Sequence, residues 1–100
     1  GGDPLYKDNI TSIYGLLVMI QALSRKPIKV WLWTGYTYEQ IQESNEPVFK
    51  LLLPLIDVLV DGPFIQEQRD ITLPYRGSRN QRVIDMKKTL EQGEVVLWEN

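Results

Sequence analysis

The sequence predicts an α/β fold built from parallel-sheet βα units. Three observations carry this. Apolar residues recur at helical spacing from Ile10 through Ile13, Tyr14 and Leu17 to Ile20. Two short runs, 28–34 and 57–61, are almost continuously apolar and rich in β-branched residues, as in strands covered on both faces. Between them stand two helix openers, Thr37-Tyr38-Glu39-Gln40 and Glu46-Pro47. Helix, strand, helix or helices, strand over residues 1–62 implies a parallel sheet with right-handed crossovers.

The elements follow in order. Asp8 or Asn9 can cap the first helix. Leu16, Val18 and Met19 widen its apolar face, so burial on more than one side is expected. It should stop near Ser24–Lys26, because Pro27 disfavours helix in the residue before it. The strand at 28–34 carries Trp31 and Trp33, two apart and therefore on one face, and Gly35 ends it. Thr37 caps a short helix that reaches about Ser44. A helix from Pro47 is expected to end near Leu53, where Pro54 interferes. Asp57 to Asp61 is the second strand, closed by Gly62-Pro63. Beyond it the pattern loosens: 64–77 reads as mostly loop, 81–91 as a short helix, and 94–98 as a terminal strand or tail.

Composition narrows the chemistry. One hundred residues make one small domain or a piece of one. The net charge of −2 gives no global sign of a nucleic-acid or membrane surface, and no apolar run approaches the length of a bilayer span. Cysteine and histidine are both absent. The chain therefore carries no disulfide and no thiolate or imidazole ligand for zinc, haem or an iron–sulfur cluster. Cys or His nucleophile-and-base chemistry is excluded as well. The lack of cysteine suits a cytoplasmic setting.

Ligands of a parallel α/β sheet bind at the carboxyl ends of its strands. Three segments qualify: Gly1-Gly2-Asp3-Pro4, Thr34-Gly35-Tyr36 and Asp61-Gly62-Pro63. Glycine there lets backbone groups approach a ligand, and Asp3 and Asp61 offer acceptors for amines or hydroxyls. Ordinary βα turns would have the same composition. A second cluster, Arg76-Gly77-Ser78-Arg79-Asn80-Gln81, lies in a stretch, 69–88, with six basic residues and only two acids, Asp70 and Asp85. It reads as a docking surface, an anion-contacting loop or simply a solvated face.

Taken together, four segments resemble one family, the activating proteins of anaerobic, glycyl-radical ribonucleoside-triphosphate reductases. They are Gly1-Gly2-Asp3-Pro4-Leu5, Trp31-Leu32-Trp33-Thr34-Gly35-Tyr36, Asp57-Val58-Leu59-Val60-Asp61-Gly62 and Arg76-Gly77-Ser78-Arg79-Asn80-Gln81. The first is shared by radical S-adenosylmethionine (SAM) enzymes in general; the second and fourth are more specific. The resemblance spans residues 1 to about 82.

The resemblance implies a partial (β/α) radical-SAM barrel with SAM and a [4Fe-4S] cluster at the strand ends. It implies that the full-length parent generates a glycyl radical on its partner reductase. Gly1, Gly2, Asp3 and Pro4 would contact the methionyl end of SAM, with Thr34, Gly35 and Asp61 at the neighbouring strand ends. Arg76, Gly77, Ser78, Asn80 and Gln81 would form a partner-contacting or strand-end-organising loop.

Two departures stand out. The family holds its cluster with three cysteines that precede the Gly-Gly-Asp-Pro strand, and this chain has none. The chain is therefore expected to be the carboxy-terminal part of a radical SAM domain, with no catalytic or metal-ligating residue of its own. Relatives often carry Lys where this chain has Pro63. Exposed sheet edges would favour a homodimer or association with the missing half. The alternatives are a non-catalytic α/β module that docks the reductase, and a different radical SAM enzyme.

Overall fold

A computed structural model describes residues 3–99. The order of elements is α1 (Ile10–Leu23), β1 (Trp31–Trp33), α2 (Tyr38–Glu43), α3 (Pro47–Leu52), a 3₁₀ turn (Leu53–Leu55), β2 (Val58–Asp61), a second 3₁₀ turn (Gln66–Gln68), β3 (Arg82–Asp85) and α4 (Met86–Gln92). The three strands form one sheet in the order β1-β2-β3.

The parallel βα expectation holds for β1 and β2, whose register pairs Trp31 with Val58 and Trp33 with Val60. It fails at the third strand. β3 runs antiparallel to β2, pairing Val60 with Val83 and Asp61 with Arg82, so the sheet is mixed. Residues 82–85 were expected to be helical. Val83 and Ile84 alone give a weak strand pattern, and pairing with β2 decides the conformation. Asp85 then caps α4, its carboxylate accepting from the Lys88 N–H. The tail runs antiparallel beside β3: Asp85 N–H donates to the Val96 carbonyl and Trp98 N–H to the Val83 carbonyl.

β1 is shorter than the 28–34 run. At its amino end the Asp57 carboxylate accepts from the Val30 N–H at 2.7 Å, and β2 begins only at Val58, so Ile28 and Lys29 have no ladder partner. The capping box that opens α2 is present: Thr37 accepts from the Gln40 N–H, and the Gln40 side chain accepts from the Thr37 N–H. Asn9 sits at the start of α1 but makes no side-chain cap; its amide donates to the Asp3 carbonyl instead.

One face of the sheet, Leu32, Leu59 and Ile84, meets Ile10, Leu17, Ile41, Leu52, Leu53 and Met86 in a continuous core. α1 packs on α3 and buries only Ile10 and Leu17. Leu16, Val18, Met19 and Leu23 are exposed, contrary to the expected burial on several sides, because a three-stranded sheet gives α1 one layer to lie on. The other face is covered by rings. Trp31 stacks on Trp33 and lies 4.8 Å from Tyr75 and 4.9 Å from Trp98, centroid to centroid. Such tilted and edge contacts suit the ring quadrupoles.

Candidate functional site: two strand ends and the loop that latches them

The carboxyl ends of β1 and β2 lie side by side because the strands are parallel. The opening turn is fastened to the first. The Asp3 carboxylate accepts from the Leu5 N–H (2.9 Å), the Thr34 hydroxyl (2.7 Å) and the Gly35 N–H (2.5 Å). A Cβ at Gly35 would meet the Asp3 carboxylate at 3.3 Å, so glycine permits this close approach. Pro4 continues the turn and Leu5 enters the core.

Asp61 ends β2 with its side chain only 1% exposed. One oxygen accepts from the Tyr38 N–H at 2.7 Å, tying the start of α2 to the strand. Both oxygens also meet the Arg82 guanidinium, at 3.1 and 2.5 Å. Arg82 in turn forms a two-pronged pair with Glu39 at 2.6 and 3.2 Å. Hydrogen bonds to Asp61 and then to Glu39 hold the guanidinium above its ordinary pKa. The hydrogen bond from Arg82 holds the Glu39 carboxyl below the ordinary carboxylate value. Burial, and then the Glu39 charge, push the Tyr38 phenol up.

After Asp61 the backbone turns through Gly62 at φ +98°, a conformation that glycine adopts at little cost. The 76–81 loop grips this turn. Gln81 donates to the Gly62 carbonyl (3.0 Å) and Asn80 to the Pro63 carbonyl (2.7 Å). The Gln81 side-chain oxygen Oε1 accepts from the N–H groups of Gly77 and Ser78. Ser78, fully buried, donates to Asn80 and accepts from the Ile65 N–H. Arg76 donates to the Arg79 and Gln81 carbonyls. The polar groups of Arg76, Gly77, Ser78, Asn80 and Gln81 are thus turned inward on the loop and the strand end.

These elements border an open cleft of about 320 Å³, lined by Asp3, Pro4, Trp33, Thr34, Gly35, Gly62, Phe64 and Gln81. It brings together Asp3, Pro4, Thr34, Gly35 and Gln81 of the expected site. Asp61 stands behind Gly62 rather than in the wall, and Gly1 and Gly2 lie outside the described residues. A more voluminous cleft, about 350 Å³, opens between Leu5, Tyr36, Ile41 and Phe49, but its lining is mostly core-type side chains and it gathers none of these strand-end glycines. Sequence reasoning missed Arg82 and Glu39. Arg82 abuts the loop motif in the basic stretch, but its pairing with Asp61 depends on β3.

The residues do not suit a cluster of iron and sulfide. The chain has no cysteine or histidine, and among the described residues no group of three acidic side chains is placed to hold a metal. Nor, among them, is any helix long and apolar enough to cross a membrane.

Residues 1–84 match the family described as "4Fe-4S single cluster domain", and the chain belongs to that family. Within it, the chain is similar to proteins named anaerobic ribonucleoside-triphosphate reductase-activating protein. It is 46% identical to the one from Vibrio cholerae over 82 residues, covering 81% of this chain and 49% of the relative. The Haemophilus influenzae protein is 45% identical, with 81% and 49% covered. That of bacteriophage T4 is 39% identical, with 83% and 48% covered. The chain spans about half the length of the curated relatives it matches. No solved structure matches it.

Proposed function

We propose that this chain is the carboxy-terminal part of a radical SAM domain in an activase for anaerobic ribonucleoside-triphosphate reductase, acting in the cytoplasm. The parent would use SAM and a [4Fe-4S] cluster to install a glycyl radical on the reductase, with the cluster ligands supplied outside these 100 residues. Convergence carries the reading: Asp3, Thr34, Gly35, Gly62 and Gln81, far apart in sequence, border one cleft at the ends of two parallel strands. The relatives, all named for the same reductase, supply the target.

In this reading Gly1, Gly2, Asp3 and Pro4, with Thr34 and Gly35, border the methionyl end of SAM. Asp3 holds the opening turn against Thr34 and Gly35, and Asp61 anchors the second strand end from behind. Arg76, Gly77, Ser78, Asn80 and Gln81 keep the Gly62-Pro63 turn in place. The barrel would be completed by further strands beside β1.

The test is anaerobic reconstitution of the full-length parent with iron and sulfide. Iron incorporation, SAM binding and a SAM-dependent glycyl-radical signal on the cognate reductase are expected. A parent gene that lacks cysteines upstream of Gly1 would sink the reading. The absence of Cys and His favours a second reading, a non-catalytic module that docks the reductase. Capture of the reductase by the isolated chain, without iron or SAM, from a parent that incorporates no iron would favour it.

A further inference from the structure

The same segment that latches the strand ends also builds a small hairpin. Asp70 N–H donates to the Gly77 carbonyl at 3.1 Å, Arg79 N–H to the Gln68 carbonyl at 2.9 Å, and Arg69 bridges Ser78 antiparallel. At the tip, Asp70 accepts from both the backbone and the hydroxyl of Thr72. Tyr75 takes φ +69°, a left-handed conformation that costs a bulky residue on the order of 1 kcal/mol or more. Its carbonyl is pinned by the Trp33 indole N–H at 2.6 Å, and its ring packs on Trp31 and Trp98. The loop is braced at its base, its tip and its return.

That bracing presents groups with nothing to hold. Ile71 is 84% exposed, the most exposed of the large apolar side chains described. Arg69 and Arg79 are exposed, and among the described residues the ion pairs all belong to Arg82. Asp70 lies within electrostatic reach of Arg76 and Arg79 and offsets part of their charge, but it forms no ion pair with either, its carboxylate being turned to Thr72. A lone exposed isoleucine is ordinary on a protein surface. One held at the tip of a hydrogen-bonded loop, between two exposed arginines that form no ion pair, is pre-organised for contact. The hairpin also leans on Trp33, which lines the strand-end cleft, so a partner seated here would stand at the mouth of that cleft.

We infer that the hairpin 69–79 is a docking element, with Ile71 as its apolar anchor and Arg69 and Arg79 as its charge contacts, for a partner surface that offers an apolar pocket bordered by carboxylates. This rests on the reading above that the partner is the reductase, and of the Arg76–Gln81 motif it uses Arg79 alone, because the side chains of Arg76, Ser78, Asn80 and Gln81 are engaged internally.

The test measures binding of the full-length protein to its cognate reductase by biolayer interferometry at several salt concentrations. Binding by the wild type is expected, with Ile71→Asp weakening it by about thirtyfold, the loss of a central anchor. Arg69→Glu/Arg79→Glu should weaken it and flatten its salt dependence. SAM binding and circular dichroism should be unchanged in both, since neither alters the cleft or the core. Wild-type binding that both variants retain overturns the hairpin inference alone. No wild-type binding to the reductase overturns the proposed target, and this inference with it.

Discussion

The ends of β1 and β2 are each finished by an aspartate, yet they are built differently. Asp3 reaches β1 from a separate turn and is held by three neutral donors at a half-exposed position. Asp61 belongs to β2 itself, is buried, and is locked by a guanidinium and a helix-opening N–H. Bonds from neutral donors to a part-exposed carboxylate can exchange for water or a ligand at modest net cost, whereas a buried carboxylate cannot lose its cation without a large penalty. The first strand end is therefore the adaptable wall of the cleft and the second is its fixed frame.

Arg82→Met breaks that contrast most severely. It leaves the Asp61 carboxylate buried without its cation and frees Glu39. A loss of about 3 kcal/mol in unfolding free energy is expected, read from urea denaturation, at the low end for a buried pair because Arg82 is part-exposed. A loss below roughly 1 kcal/mol would mean that water already reaches Asp61. Asp3→Ala should cost less, about 1–2 kcal/mol, since the Leu5 and Gly35 N–H groups can turn to solvent while the buried Thr34 hydroxyl loses its acceptor. The same variant should loosen the opening turn, seen as faster amide exchange at Leu5 and Gly35. If Asp3→Ala proved the costlier of the two, the assignment of wall and frame would be reversed.

Asn80→Ala probes the latch between the two regions. It removes the bond to the Pro63 carbonyl and leaves the buried Ser78 hydroxyl without its acceptor, an expected cost of about 1 kcal/mol by thermal unfolding. The effect should concentrate at the Gly62-Pro63 turn. Unchanged exchange there would show that Gln81 alone secures it.

Local signals made much of this legible. The capping box at Thr37, the end of α1 ahead of Pro27, and the apolar β2 run appear in the structure because each is decided by neighbours in sequence. β3 did not announce itself, since Val83-Ile84 is too short a pattern to stand apart from the helix after it, and its partner strand is distant. The site divides in the same way. Glycines and aspartates at strand ends are readable as residue types, so Asp3, Thr34, Gly35 and Asp61 were all singled out. Which aspartate faces the cleft and which is consumed by an arginine depends on β3, and so Arg82 and Glu39 were invisible.

Glu39 gives the finest test of the frame. Its carboxyl titrates below the ordinary value of 4.5 because Arg82 donates to it. A depressed carboxylate pKa adds stability that is present above the unfolded value and disappears as pH falls through the folded one. Glu39 is largely exposed, so the pair is screened and is worth well under about 1 kcal/mol. At pH 7, Glu39→Gln should therefore lower stability only slightly. The gap to wild type should narrow as the pH falls from the ordinary carboxylate value through the lower one that Arg82 imposes, where the wild-type carboxyl takes up its proton. The measurement is the difference between the two unfolding curves at a series of acid pH values. A gap that does not narrow as the pH falls would show that Glu39 acts through packing on Arg82 rather than charge, leaving Asp61 as the one carboxylate that holds the guanidinium.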